Sequence, residues 1–141
     1  LRDAGIAMRP SLLPFTPWST FDDFVEILDF VESEDLVDHV DPVQYTIRLL
    51  VPPGSLLLEH LEMQPHLGPL DEEHLTHRWT HPDPRMDALQ EQAARTVEDA
   101  AENAEDAYVT FHRIRLLTRS SGAAPRRRHP RPPRLTESWF C

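Results

Sequence analysis

The nine residues Val43–Val51, VQYTIRLLV, decide how the rest of the chain is read. Val43, Tyr45, Ile47, Leu49 and Val51 alternate with Gln44, Thr46 and Arg48, followed by Leu50. That period of two is the pattern of a β-strand with two distinct faces. The apolar set faces a core, and the polar set faces either water or the lumen of a barrel. Pro52-Pro53-Gly54 then stops the strand, and Ser55 is placed to cap a following helix, SLLLEHLE.

Toward the N-terminus, IAMRPSLL (residues 6–13) predicts a second short strand, weakened by Pro10, which lacks a ladder donor. Gly5 falls where a glycine ends a preceding helix. Pro14 to Trp18 form a stiff loop. Thr20 and Asp23 have capping-box spacing, Asp22 lies in the positive first turn, and Phe21, Phe24, Val25, Leu28 and Val31 recur at helical spacing. The aromatics in that stripe read as core packing. Residues 1–62 therefore alternate strand and helix, which predicts a parallel α/β arrangement. Two strands do not make a stable sheet alone. Partner strands are expected upstream of Leu1, and the isolated chain is expected to behave poorly.

Toward the C-terminus, residues 63–83 read as an irregular connector rich in His, Pro and Trp. Asp83, Pro84 and Asp87 form a helix start. Met86, Leu89, Ala93, Val97, Ala100, Ala104, Tyr108, Phe111 and Ile114 extend one apolar stripe, predicting a single long helix over 84–118. Residues 119–141 read as a flexible, disordered Arg/Pro-rich linker and tail.

Composition narrows the function classes. The 141 residues carry a net charge of −10, and all fourteen basic residues are arginine, which suits a GC-rich codon usage. Residues 122–141 carry +4 and the rest −14. An acidic body disfavours nucleic acid, while the basic tail is suited to RNA, to an anionic membrane or, the plainest reading, to the chain's own body. The one cysteine, Cys141, excludes an internal disulfide and a self-contained cysteine site for zinc or iron–sulfur. No apolar run approaches the ~20 residues of a membrane span, and no signal peptide opens the sequence. The expectation is a cytoplasmic protein with no membrane partner.

Few residues carry recognisable chemistry. His74, His77 and His81 are spaced by three and four, which suits metal ligation from one helix face. Pro82 and Pro84 crowd the end of that run, Trp79 interrupts it, and only Glu73 adds a nearby carboxylate. Metal binding and solvated or capping histidines both remain open, and no metal ligand is assigned. Asp22, Asp23, Glu32, Glu34 and Asp35 sit at helix ends as solvated acids. No nucleophile elbow, phosphate loop or dinucleotide glycine pattern occurs, and no catalytic residue is assigned. In parallel barrels, ligands gather at the C-terminal ends of strands. Here those ends are LPFTPW and VPPGS. Arg9 and Ser11 from the first strand, and Gln44 and Arg48 from the second, would project toward such a mouth. Arg48 either pairs bidentately with a ligand carboxylate or forms a salt bridge inside the barrel.

Two stretches, DAGIAMRPSLLPFTPWSTFDDFVEILDFV (3–31) and DPVQYTIRLLVPPGSLLLE (41–59), resemble the closing units of a radical SAM enzyme barrel. The ending RLTESWFC (134–141) resembles the run that precedes the Cys-Cys-Ala-Glu-Pro or Cys-selenocysteine-Ala-Glu-Pro tail of one radical SAM subgroup. The loop Pro14–Thr20 departs from the Gly-Pro-Gly-Glu-Thr-type loop of the wider family. The resemblance implies the last strand–helix units of a partial (β/α), TIM-like barrel, with a [4Fe–4S] cluster bound upstream on a three-cysteine loop. It also implies reductive cleavage of S-adenosylmethionine, with cobalamin possible in an upstream domain and no cofactor bound by this chain alone. Arg9, Ser11, Gln44, Arg48 and the Pro53-Gly54-Ser55 turn would line the S-adenosylmethionine end of the barrel. The upstream barrel and a small-molecule or peptide substrate are the implied partners. Cys141 would be half of a redox pair, residue 142 being selenocysteine encoded by a codon otherwise taken as a stop. On its own, Cys141 is an ordinary thiol beside a carboxylate. A reading from another class is a binding module that docks a partner through LTESWF, with Leu135, Trp139 and Phe140 as anchors.

Overall fold

Thr20 and Asp23 cap each other. Asp23 N–H donates to Thr20 Oγ1 at 3.2 Å, and Thr20 N–H donates to Asp23 Oδ2 at 2.7 Å. This capping box opens helix α1, Phe21–Ser33, whose Phe24, Leu28 and Val31 are buried as the spacing predicts. A computed structural model of the chain describes residues 8–118. The helix end expected at Gly5, the Arg/Pro-rich tail and Cys141 lie outside the described residues.

Asp35, with φ of 56°, takes the left-handed position after α1. Leu36 N–H donates to Val31 O at 2.8 Å and Asp35 N–H to Glu32 O at 3.1 Å, which satisfies the last carbonyls and turns the chain back into the core at Leu36.

The segment Val43–Val51 is not the continuous strand its alternation predicts. Asp41 caps a 3₁₀ turn, Pro42–Thr46, with Pro42 in its first turn. A proline with its fixed φ behind an aspartate acceptor starts a helical turn better than it starts a ladder. Only from Ile47 does the chain extend, and one parallel bridge then forms between Phe15 and Arg48. Phe15 N–H donates to Ile47 O at 3.3 Å, and Leu49 N–H donates to Phe15 O at 2.8 Å. A parallel bridge does form across α1, but it is a single residue pair and its first partner, Phe15, lies in the stretch read as a loop rather than in the strand expected over residues 6–13. Residues 8–13 form no strand.

Two further expectations change. SLLLEHLE forms a 3₁₀ turn, Leu56–Glu59, capped by Ser55 as expected but too short to be an α-helix. The turn before it is set by Gly54, with φ of 81° and Ser55 N–H bonded to Pro52 O at 3.0 Å, a type II turn that needs glycine at its third position. The connector 63–83 contains, beyond a short 3₁₀ turn Gln64–His66, an antiparallel hairpin of β1, Leu67–Asp71, and β2, Thr76–Trp79. Val51 joins the other edge of β2, His77 N–H donating to its carbonyl at 2.8 Å.

Asp83 caps α2, Pro84–Glu102, with Pro84 in its first turn as predicted. The helix predicted to run to 118 breaks at 103–106, however, and α3 spans Ala107–Leu117. Ala104 adopts φ of 50°, Glu105 N–H bonds Ala100 O at 2.8 Å, and Asp106 caps α3 by accepting from Tyr108 N–H at 2.9 Å. The C-terminal half of the stripe thereby folds back on α2.

One buried cluster joins Phe15, Phe24, Leu28, Leu36, Tyr45, Met86, Leu89, Phe111 and Ile114 across α1, α2, α3 and the 3₁₀ turn at Tyr45. A second, smaller one under the hairpin holds Val51, Met63 and Trp79. Among the described residues the architecture is mixed: three α-helices and a two-stranded sheet. Among the described residues no helix is long and apolar enough to cross a membrane.

Candidate functional site

The Phe15–Arg48 bridge organises the candidate site. Parallel segments leave a bridge in the same direction, so the proline-rich loops after Phe15 and after Val51 emerge on one side. Trp18 of the first loop contacts the segment just beyond the 3₁₀ turn that follows the second: the Trp18 and His60 rings lie 6.3 Å apart at 82°, an edge-to-face contact.

Arg48 is engaged by its own fold. Its Nη1 donates to Asp87 Oδ1 at 2.7 Å, its Nη2 donates to the Trp79 carbonyl at 3.0 Å, and its guanidinium lies 4.0 Å from the Trp79 ring centroid. Both charged side chains keep about a quarter of their surface exposed, 27% each. Trp79 is fixed in turn by its indole N–H, which donates to Leu49 O at 2.8 Å. Arg48, Leu50, Thr76, Arg78, Trp79 and Glu91 help line an open groove of about 370 Å³.

The other residues assigned from sequence divide into two places. Gln44 and Ser11 come together: Gln44 Oε1 accepts from Leu12 N–H at 2.9 Å and from Ser11 Oγ at 3.2 Å. Gln44 thus anchors the segment that follows Met8. Arg9 is exposed beside it in sequence. Pro53 and Gly54 are exposed in the type II turn, and Ser55 Oγ accepts from Leu57 N–H at 3.3 Å.

The three histidines separate. His74 lies on the hairpin turn with its Nδ1 3.1 Å from Asp71 Oδ1. His77 Nδ1 is 3.4 Å from the Gly68 carbonyl. His81 bridges elements: Asp83 N–H donates to its Nδ1 at 2.8 Å, so its Nε2–H is free to donate to Ser19 O at 2.7 Å. Among the described residues no group of three His, Cys, Asp or Glu is placed to hold a metal ion.

His81 N–H also donates to Asp87 Oδ2 at 2.9 Å. Asp87 therefore links Arg48 to the turn that holds the first proline-rich loop at Ser19. Sequence patterning placed Asp87 in a helix's first turn and did not single out Trp79 or Ser19, because contacts about 30 or more residues apart leave no local signal.

Surrounding charges are paired. Hydrogen bonds from Arg78 first, then His74, lower the Asp71 carboxyl to about 2. Arg85 does the same for Asp83, also to about 2. Burial, the largest influence, holds His112 below its ordinary value, and its Nε2 is buried without a partner among the described residues.

No family model, curated protein or solved structure matches the chain.

Proposed function

We propose that this chain forms the closing part of a radical SAM enzyme: the last units of a partial barrel, a helical extension and a redox-active tail ending at Cys141. The observation that carries the proposal is the parallel Phe15–Arg48 bridge, after which both chain segments run on into proline-rich loops, with Trp18 of the first loop against His60 beyond the second. The proposed ligand region is the end of that bridge. The resemblance of residues 134–141 to a Cys-selenocysteine-Ala-Glu-Pro ending supports the same assignment.

The residues at hand do not supply the cluster. The described part holds no cysteine and no metal-ligating group of three, so the iron–sulfur ligands belong to an upstream three-cysteine loop of the proposed parent enzyme. When bound there, the cluster would supply the electron that cleaves S-adenosylmethionine. The role left to this chain is positioning. Gln44 fixes the Ser11 segment, and Arg48 presents a guanidinium whose release from Asp87 would free a bidentate site for a carboxylate. The implied substrate is a small molecule or peptide.

Sequencing the gene on both sides tests the proposal. A Cys-x-x-x-Cys-x-x-Cys motif upstream in the same reading frame, with reductive cleavage of S-adenosylmethionine by the reconstituted full protein, is the expected result. An upstream sequence with strands but without the motif overturns it in favour of an unrelated barrel enzyme, whereas the absence of an open reading frame upstream of Leu1 overturns it in favour of the LTESWF binding-module reading. An in-frame TGA after the Cys141 codon followed by Ala-Glu-Pro codons supports the selenocysteine pair, whereas TAA or TAG there removes it.

A further inference from the structure

Helix α1 turns an acidic face outward. On it lie Asp22, Glu26 and Asp29, with Glu34 just beyond the last turn, and Phe30, which keeps 54% of its surface exposed among them. The opposite face, Phe24, Leu28 and Val31, is the buried one. Among the described residues Asp22, Glu26 and Glu34 form no ion pair. Glu32, Glu34 and Asp35 moreover crowd the negative end of the helix, where cations are favoured and no basic residue of α1 stands. One cation already answers that field from α3: Arg115 pairs with Asp29 and, at 3.2 Å, with Glu32.

Arg115 also marks where the rest of the chain departs, three residues before the last described position. Residues 8–118 hold seven arginines and twenty-two acids, a net −15, whereas residues 119–141 hold six arginines and one acid, a net +5. The eight residues after Thr118, through Arg126, reach up to roughly 27 Å, and α1 is about 20 Å long. The arginines at 126, 127, 128, 131 and 134 can therefore reach the whole outer face, at the high effective concentration of a short tether.

We infer that the outer face of α1 is the docking surface for the chain's own basic tail, residues 126–140. Its arginines lie along Asp22, Glu26 and Glu34, and its Trp139–Phe140 pair covers Phe30. The inference is independent of the radical chemistry proposed above. It adds that the thiol of Cys141 is parked on a helix until salt or a competing polyanion releases it.

Cys141 is the chain's only cysteine and accepts a nitroxide label on the full chain without mutation. The expected result is paramagnetic broadening of the α1 amides from Asp22 to Glu34, unchanged on dilution. It should be lost at about 0.5 M salt, where screening falls to roughly 4 Å. It should also be lost in Phe30→Ser and in the double variant Glu26→Gln, Glu34→Gln, the second serving if the first fails to fold. Three outcomes overturn the inference: no broadening at low salt, equal broadening of the acidic α2 face at Glu98 and Glu102, or broadening that rises with protein concentration, which would mean a second copy.

Discussion

Arg48 and Asp87, thirty-nine residues apart, are joined at 2.7 Å by an ion pair that fastens the single parallel bridge to the first turn of α2. The guanidinium also stacks on Trp79 and bonds its carbonyl, so three separate segments converge on one side chain. Arg48→Ala is expected to cost about 2 kcal/mol, the sum of a charge-assisted hydrogen bond and a partly exposed cation–π contact. Asp87→Asn should cost less, about 1 kcal/mol, because the stack and the carbonyl bond survive. Urea unfolding of both variants and their double mutant measures the coupling. An Arg48→Ala protein as stable as the parent would show that the contact is incidental.

Tyr45 is a buried residue whose hydroxyl has no hydrogen-bond partner among the described residues. Burial pushes its phenol far above the ordinary value, so it stays neutral at any usable pH. A buried hydroxyl without a partner carries a desolvation cost that a hydrogen does not. Tyr45→Phe keeps the 5.6 Å contact with Phe111 and should stabilise the fold by about 1 kcal/mol. A lower melting temperature for this variant would reveal a partner for the hydroxyl.

What the sequence made legible follows the range of each interaction. The capping pairs Thr20–Asp23 and Asp83–Pro84 are local, and both appear at the predicted positions. Of the apolar set in Val43–Val51, Tyr45 and Val51 are buried but Val43 is exposed, and the one parallel bridge, at Arg48, reaches Phe15 in the stretch read as a loop. The strand itself does not form, because Asp41-Pro42 is a stronger local instruction than alternation. The hairpin was hidden for the opposite reason: Gly68, Pro69 and Asp71 are poor strand formers, and its pairing depends on the Trp79 cluster beneath it. Of the candidate site, Ser11 and Gln44 meet, but the occupation of Arg48 by Asp87 and Trp79 is a tertiary fact with no sequence signature.

The break between α2 and α3 was missed because Ala104 fits the apolar stripe, yet it takes the left-handed position that glycine usually fills. Ala104 is exposed, so removing its methyl group gives up no core packing. Ala104→Gly should therefore stabilise the protein by about 0.5 kcal/mol, the left-handed strain relieved exceeding the backbone entropy added to the unfolded chain. Ala104→Val should destabilise it, since a β-branched residue suits that conformation least. Thermal melts of the two variants moving in the same direction would contradict this account.

Acid should loosen the fold in two stages whose signs follow from the shifted groups. His112 is held below its ordinary value of 6.5 chiefly by burial, against Tyr108 and Phe111 rings at 4.5 and 5.2 Å. The folded state therefore favours the neutral ring, and the unfolded state takes up the proton first as pH falls. Stability is complete above about 6.5 and declines as pH drops through that value toward the lower folded one. His112→Asn should remove this first decline. Asp71 and Asp83, each at about 2 against an ordinary 3.8, give a second: their contributions hold above about pH 4 and fade as pH falls toward 2. Because both are paired with largely exposed arginines, Arg78 and Arg85, this second stage should shrink with added salt, whereas the His112 stage, set chiefly by desolvation, should not. Denaturation midpoints between pH 3 and 8 at low and high salt, with an NMR titration of His112, separate the two. A His112 midpoint at or above 6.5 would remove the basis for the first stage.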